Sequence, residues 1–389
     1  MKKILIFIVL VAVFSGGFYA FQQYQTKKTT ELFSKTELVN GILPEPIIVN
    51  GEEFLVRPAD LYDFGADETV RATLDNPKFT NVATADEYLA DEVFGINVEV
   101  NGAHRFYSYQ ILNWHQVVND NFDGKNLTVT YCVFCRSFAV FETNKKFDLD
   151  GRVYNNNVLI KDRENNSSWL QIRGLSVIGN NVGEKLNQYQ AESITWSDFK
   201  KLYPEGEVLS TDTGFVRDYT RHPYASYDTI KTVYFPLTNF NDVFDKKDLV
   251  HGVDLGDVQI AFSEYIMRNV PVETVDYKGH KIVGFLDEVG VIRIFKNITL
   301  GETELDSKYL PKNVPLDEVL DFTYDPKKDL MIDNQTGSKW NRKGEVIEGP
   351  LLQKKLKQLE SVETFWFCYS AMFENAVIAD INAIEFNKQ

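Results

Sequence analysis

Two of the chain's three cysteines stand three residues apart in Tyr131-Cys132-Val133-Phe134-Cys135-Arg136, entered from the strand-like run Leu127-Thr128-Val129-Thr130. That spacing turns both sulfurs the same way around one bend. It suits either a disulfide with redox activity or two ligands to one soft metal. A thioredoxin-like pair expects a helix to begin at the first cysteine, so that the helix dipole lowers the thiol pKa. Here Ser137-Phe138-Ala139-Val140-Phe141 continues as strand, and a turn between strands is the expected setting. A structural disulfide is the competing expectation, because exported proteins live where thiols oxidise.

His115 is the third candidate ligand. Ile111, Trp114, His115 and Val118 share one face of a helix expected over residues 109–118, with Ser108 as its cap. The hairpin over 119–126 leads from that helix into the cysteine strand. His115, Cys132 and Cys135 therefore form an expected three-ligand set for copper or zinc, with a fourth position open or filled by water. Asn113, Arg136, Asn156, Asp162 and Arg163 are candidates to line the same cavity, although each type is more often a turn, cap or surface residue. Cys368, in Phe365-Trp366-Phe367-Cys368-Tyr369, reads as a small hydrophobe on the apolar face of a helix. There is no Gly-x-Ser-x-Gly, no phosphate-binding glycine loop, no His-Glu-x-x-His and no Gly-x-Gly-x-x-Gly after a strand, so hydrolase and nucleotide readings lose most of their support.

The elements that must position these groups are mostly short strands. Asn50-Gly51, Asn101-Gly102, Asp123-Gly124, Asp150-Gly151 and Lys278-Gly279 read as tight turns, because Asn, Asp and Gly tolerate the positive φ that such hairpins require. Helices are few: beyond the one after Ser108, Ser193 is expected to cap Ile194 to Leu202, which stops before Pro204. The class is α+β, mainly antiparallel β.

A long-period repeat organises the body. Asp162 to Trp169 leads to Gly174, Gly179 and Trp196, and Asp333 to Trp340 leads to Gly344, Gly349 and Trp366 at nearly the same intervals. Upstream, Val93 to Asn97 matches Val250 to Asp254. In this register the second copy has Leu286 and Val289 opposite the cysteines and Val270 opposite His115. The joint loss of all three groups marks the first copy as a site and the second as a scaffold. The expected layout is a signal or anchor segment over 1–25, a tether over 26–45 and a first module over 46–210. A connector over 211–248 and a second, degenerate module over 249–389 follow.

At the scale of the chain, 389 residues with 44% hydrophobic and 13% aromatic content can build two or three cores. The net charge of −15 opposes nucleic acid, whose binders present clustered Lys and Arg. Lys2 and Lys3 precede an uncharged run from Ile4 to Phe21, with Lys27 and Lys28 beyond it. This is an export signal, and Phe18-Tyr19-Ala20 makes a poor cleavage site, so an uncleaved anchor helix is expected with the body outside, in the periplasm or at the cell surface. The first cysteine is Cys132, which excludes lipid attachment beside the apolar run.

The order and spacing of Asp75-Asn76-Pro77-Lys78-Phe79, Asn113-Trp114-His115, Tyr131-Cys132-Val133-Phe134-Cys135, Tyr154-Asn155-Asn156, Lys161-Asp162-Arg163 and Trp169 resemble a bacterial and archaeal family, the domain of unknown function 3179. The likeness spans Leu74 to Ser210. The chain departs from the family pattern where Val133 replaces a proline and Gln116 replaces an acid. The resemblance implies a site and no reaction, so whether the site is catalytic stays open. Two readings follow. One is an extracytoplasmic protein that binds a soft metal or exchanges thiols at Cys132, Cys135 and His115. The other is a non-catalytic cell-envelope module that binds a polysaccharide or protein, with the cysteine pair as a staple.

Overall fold

The computed structural model describes residues 37–64, 72–306, 308–311 and 314–379. The expected anchor and the first part of the tether lie outside these residues. Among the described residues no helix is long and apolar enough to cross a membrane. The body is β-rich, with mainly antiparallel sheets and few helices.

Three sheets of the first half have counterparts in the second. Ala191–Thr195, Phe94–Val100, Ala103–Ser108 and Glu207–Leu209 lie side by side in that order. Val362–Phe365, Leu249–Asp254, Gln259–Ser263 and Val377–Ile378 do the same. In each set the last pair is parallel and the others are antiparallel. The cysteine sheet runs Asn187–Tyr189, Ser137–Glu142, Lys125–Cys132, Val117–Phe122, and its counterpart Lys357–Gln358, Ile292–Lys296, His280–Leu286, Val272–Tyr277. The third pair is Leu175–Ile178, Ser168–Leu170, Asn157–Asp162, Phe147–Tyr154 against Val346–Glu348, Lys339–Trp340, Leu330–Asp333, Phe322–Asp325. In the first half, Ile47–Val49, Glu52–Phe54 and Leu61–Asp63 extend this last sheet at its edges.

The glycines named from sequence occupy matching places. Gly174 and Gly344 both have positive φ, and a Cβ there would strike Phe141 and Phe295 respectively. The carbonyl of each accepts from Leu186 N–H or Leu356 N–H, at 2.8 Å in both cases. The turns at Asn50-Gly51, Asn101-Gly102, Asp123-Gly124 and Lys278-Gly279 have positive φ at both residues, as two-residue hairpins demand. Asp150-Gly151 differs: it lies inside Phe147–Tyr154, where the register shifts between Leu149 and Val153, and so forms a bulge.

Two helix expectations change. The helix after Ser108 covers only Tyr109–Leu112, and Val117 already belongs to a strand. An apolar face repeating over four residues served helix and strand equally well there. The later helix is Trp196–Leu202, capped by Thr195, whose Oγ1 accepts from Asp198 N–H at 3.2 Å. Ser193 stays in the preceding strand.

The expected register between the halves also shifts. Trp196 N–H donates to Val93 O, and Trp366 N–H to Asp248 O, both at 2.7 Å, so Val93 corresponds to Asp248 and not to Val250. Tyr131 N–H donates to Gln116 O at 2.9 Å and Leu286 N–H to Pro271 O at 2.8 Å, which sets Asp287, not Leu286, opposite Cys132.

The halves interlock. Val289 and Val291, at the second half's hairpin turn, pack with Trp196 and Phe199 of the first half's helix. Reciprocally, Phe134 and Cys135 at the first half's turn share a core with Trp366, Cys368 and Tyr369 on the second half's helix Trp366–Met372. The connector between Leu209 and Leu249 holds no strand or helix. It is nonetheless ordered against the first half, burying Tyr219 and Tyr227.

Candidate functional site

The cysteine turn spans residues 133–136 between paired strands, with Cys132 opposite Ser137 and Arg136 at φ 47°. Its disulfide is not the one its spacing suggests. Cys135 bonds to Cys368, 233 residues away, with Cα atoms 5.8 Å apart, inside the normal range for such a bond. Strand Val362–Phe365 explains the pairing: Phe365 N–H and Thr364 Oγ1 both donate to Cys135 O, at 2.9 and 3.0 Å. These bonds set the first turn of the following helix against the cysteine turn. Cys368 is therefore a disulfide partner and not merely a small hydrophobe.

Cys132 remains a thiol and is fully buried. Its Sγ accepts from Cys135 N–H and Val158 N–H and donates to Asn156 O, each at 3.4 Å. Burial pushes its pKa up to about 11 against those amide donors. Asp287, its counterpart, accepts from Val289 N–H at 3.1 Å and Val291 N–H at 3.0 Å and pairs with Arg293. Thiol and carboxylate thus perform one task in the two halves, receiving the amides of the turn that follows.

His115 is engaged elsewhere. Nδ1 lies 2.8 Å from Ala72 O, which can only accept, so Nδ1 carries the proton. Nε2 then accepts from the Tyr219 hydroxyl at 2.8 Å, and that oxygen meets Thr213 Oγ1 at 2.5 Å. Burial lowers the His115 pKa, with the Ala72 carbonyl opposing. The ring holds the connector in place. Among the described residues no three His, Cys, Asp or Glu side chains converge as metal donors. The expected copper or zinc set fits poorly: Cys135 in a disulfide offers no thiolate, and both imidazole nitrogens of His115 are occupied.

The five proposed lining residues disperse. Asn156 accepts from Phe235 N–H at 2.9 Å and donates to Phe235 O at 2.8 Å, pinning the connector. Asp162 is fully buried, accepting from Lys145 at 2.8 Å and from Glu164 N–H at 2.9 Å. Arg163 forks onto Asp148 at 2.9 and 2.6 Å and reaches Asp75 at 2.9 Å, and the Asp148 hydrogen bonds hold its pKa high. Asn113 is buried, and its Oδ1 is unpartnered among the described residues. Arg136 alone adjoins a polar cluster, between Phe94, whose ring centre is 5.1 Å from its guanidinium, and the charge of Glu363.

That cluster was not anticipated. Glu363 is buried with Oε1 unpartnered among the described residues and Oε2 3.8 Å from His251 Nε2. Tyr109 OH donates to Ser193 Oγ at 3.1 Å beside it, and Tyr109 stacks on Tyr131 at 4.3 Å. Burial raises the Glu363 carboxyl to about 7, with Arg136 opposing, and lowers His251 to about 4. A lone carboxylate in the otherwise uncharged Val362-Glu363-Thr364-Phe365-Trp366-Phe367 was the available signal.

No curated protein matches the chain, and no solved structure does. One family model matches, described as a protein of unknown function, DUF3179, over residues 72–376. The match passes well beyond the motifs of the first half, through the connector and across the second half. With most of its length so covered, the chain belongs to the DUF3179 family.

Proposed function

We propose that this chain is an exported protein in which two diverged copies of one β-rich module are clamped together and act by binding a cell-envelope partner. Its N-terminal segment would hold it at the membrane. One observation carries this reading: Cys135 is bonded across the halves to Cys368, while Cys132 is sealed as a high-pKa thiol. The matching sheet orders support the duplication. The acidic chain, at −15, sets nucleic acid aside as a partner.

Peptide mapping of the unreduced protein tests the clamp. The expected result is a Cys135–Cys368 peptide, one thiol at Cys132 that alkylates slowly in the folded state, and a loss of about 2–5 kcal/mol of stability in Cys368→Ser. A Cys132–Cys135 peptide as the main product, or stoichiometric copper or zinc in the purified protein, would sink the reading.

Thiol exchange is the second reading, favoured because all three cysteines of the chain meet at this turn. The Cys132 thiolate would attack Cys135 Sγ, forming a Cys132–Cys135 bond and breaking Cys135–Cys368. Cys368 leaves as a thiolate and takes up the proton that Cys132 lost, so no outside oxidant is needed. Interchangeable pairings in mild thiol buffer would favour it; a single pairing under all conditions rejects it.

A further inference from the structure

Two clefts lie between the halves, and they are built from equivalent positions. The first, of about 220 Å³, is lined by Arg173, Lys185 and Gln188 from one half and by Asp254, Glu360 and Phe373 from the other. The second, of about 330 Å³, is lined by Lys343, Lys355 and Gln358, with Glu99, Gln190 and Tyr203 facing them. The isolated bridges Leu175–Lys185 and Glu345–Lys355 fix the correspondence.

The charges are paired differently. In the second cleft Lys343 bonds Glu99 at 3.5 Å and Lys355 bonds Glu345 at 2.9 Å. In the first cleft Asp254, the counterpart of Glu99, is taken by Lys185 at 3.3 Å, by Gln259 at 2.8 Å and by Gly256 N–H at 3.0 Å. Among the described residues Arg173, the counterpart of Lys343, has no carboxylate within ion-pair distance. Its Nη1 donates to Asn40 O at 2.8 Å, its guanidinium lies 5.0 Å from the centre of the Phe373 ring, and its Nε has no partner among the described residues.

A planar guanidinium held in this way matches a two-oxygen anion, and Arg is the side chain suited to such a fork. Glu360 and Asp254 line the same cleft, so a doubly charged phosphate is repelled about twice as strongly as a single negative charge, whose accompanying hydroxyls can donate to those carboxylates. We infer that the first cleft holds a carboxylate-bearing sugar unit, its carboxylate on Arg173 and its hydroxyls on Glu360, Asn187 and Gln188. This rests on the binding reading above and gives it a ligand class.

Calorimetric titration of the full-length protein in detergent tests it, with glucuronate, glucose, acetate and inorganic phosphate as probes. Glucuronate should bind saturably, and glucose and acetate each about tenfold or more weakly, the worth of a charge-assisted hydrogen bond. Arg173→Gln and Arg173→Lys should both lose that factor, the lysine because it lacks the fork, while Lys343→Gln in the other cleft leaves affinity unchanged. Should Arg173→Gln melt abnormally, Asn187→Ala takes its place and must weaken glucuronate while melting normally. Absence of glucuronate binding, equal binding of glucose, tighter binding of phosphate, or full affinity in the Arg173 or Asn187 variants would each overturn the assignment. The disulfide map is read separately, so a failed clamp and an empty cleft are distinguishable.

Discussion

Glu363 is a carboxyl group with one oxygen unpartnered, in a place where its charged form is disfavoured. Its pKa rises from 4.5 to about 7 through burial. The folded chain therefore keeps a proton that the unfolded chain releases, and the stability associated with that proton is complete below pH 4.5 and is lost as pH rises through about 7. His251, lowered from 6.5 to about 4, works in the other direction: its contribution is complete above 6.5 and is lost as pH falls. Glu363→Gln mimics the protonated carboxyl. It should melt with wild type at pH 4 and above it at pH 8, by an amount on the order of 3 kcal/mol. Melting curves that stay parallel across that range would show that Glu363 ionises in the fold at its ordinary pKa. His115 was legible as a buried group on an apolar face, but its partners were not, because Ala72 and Tyr219 come from segments without periodicity. Cys132 was legible as part of a bend between strands, and it closes the strand before that bend. Its role became clear only beside Asp287, and the one-residue register shift hid that counterpart.

The connector contains no strand or helix, yet two consecutive asparagines bind it as a strand edge would. Asn155 and Asn156 stand at φ 50° and 64°, in the left-handed region that asparagine tolerates better than most residues. Asn155 accepts from Thr238 N–H at 2.8 Å and donates to its Oγ1 at 3.0 Å, while Asn156 pairs with both backbone groups of Phe235. Beneath lies Phe134, its ring meeting Tyr224, Tyr227 and Phe235. Asn156→Gly keeps the backbone conformation and removes both side-chain bonds, so it should loosen the connector without straining the turn. The expected result is faster amide exchange at Phe235 and at least about tenfold faster alkylation of Cys132, the factor for one to two lost net hydrogen bonds. Unchanged thiol reactivity would mean that the connector does not seal the sulfur. The hairpin turns could be read from sequence because positive φ restricts residue type locally. The connector's bonds could not, because they join side chains to backbone about 80 residues away.

Across the whole molecule, each half supplies the helix that covers the other's hairpin turn, so neither half presents a finished surface alone. The extent of the family match agrees with this, since it takes in both halves and the connector as one unit. The spacing of Trp and Gly suggested a repeat, and three sheets of each half have the same strand order. The interlock was not visible in the sequence, because Phe365-Trp366-Phe367-Cys368 reads the same whether its helix covers its own half or the other. That crossing has a consequence in time. Cys132 and Cys135 are made together, and Cys368 follows 233 residues after Cys135, a delay of roughly 10–50 s at ordinary rates of synthesis. A nascent chain that met an oxidant during this interval would hold only the wrong pair of thiols. Cys132→Ser, which removes the early competitor, should therefore raise the yield of correctly joined protein when oxidation accompanies synthesis. It should make no difference when the complete reduced chain is oxidised after folding, and an equal gain under both regimes would rule out an early trap. If the trap operates, maturation of this protein requires oxidation to wait until the helix that carries Cys368 has arrived.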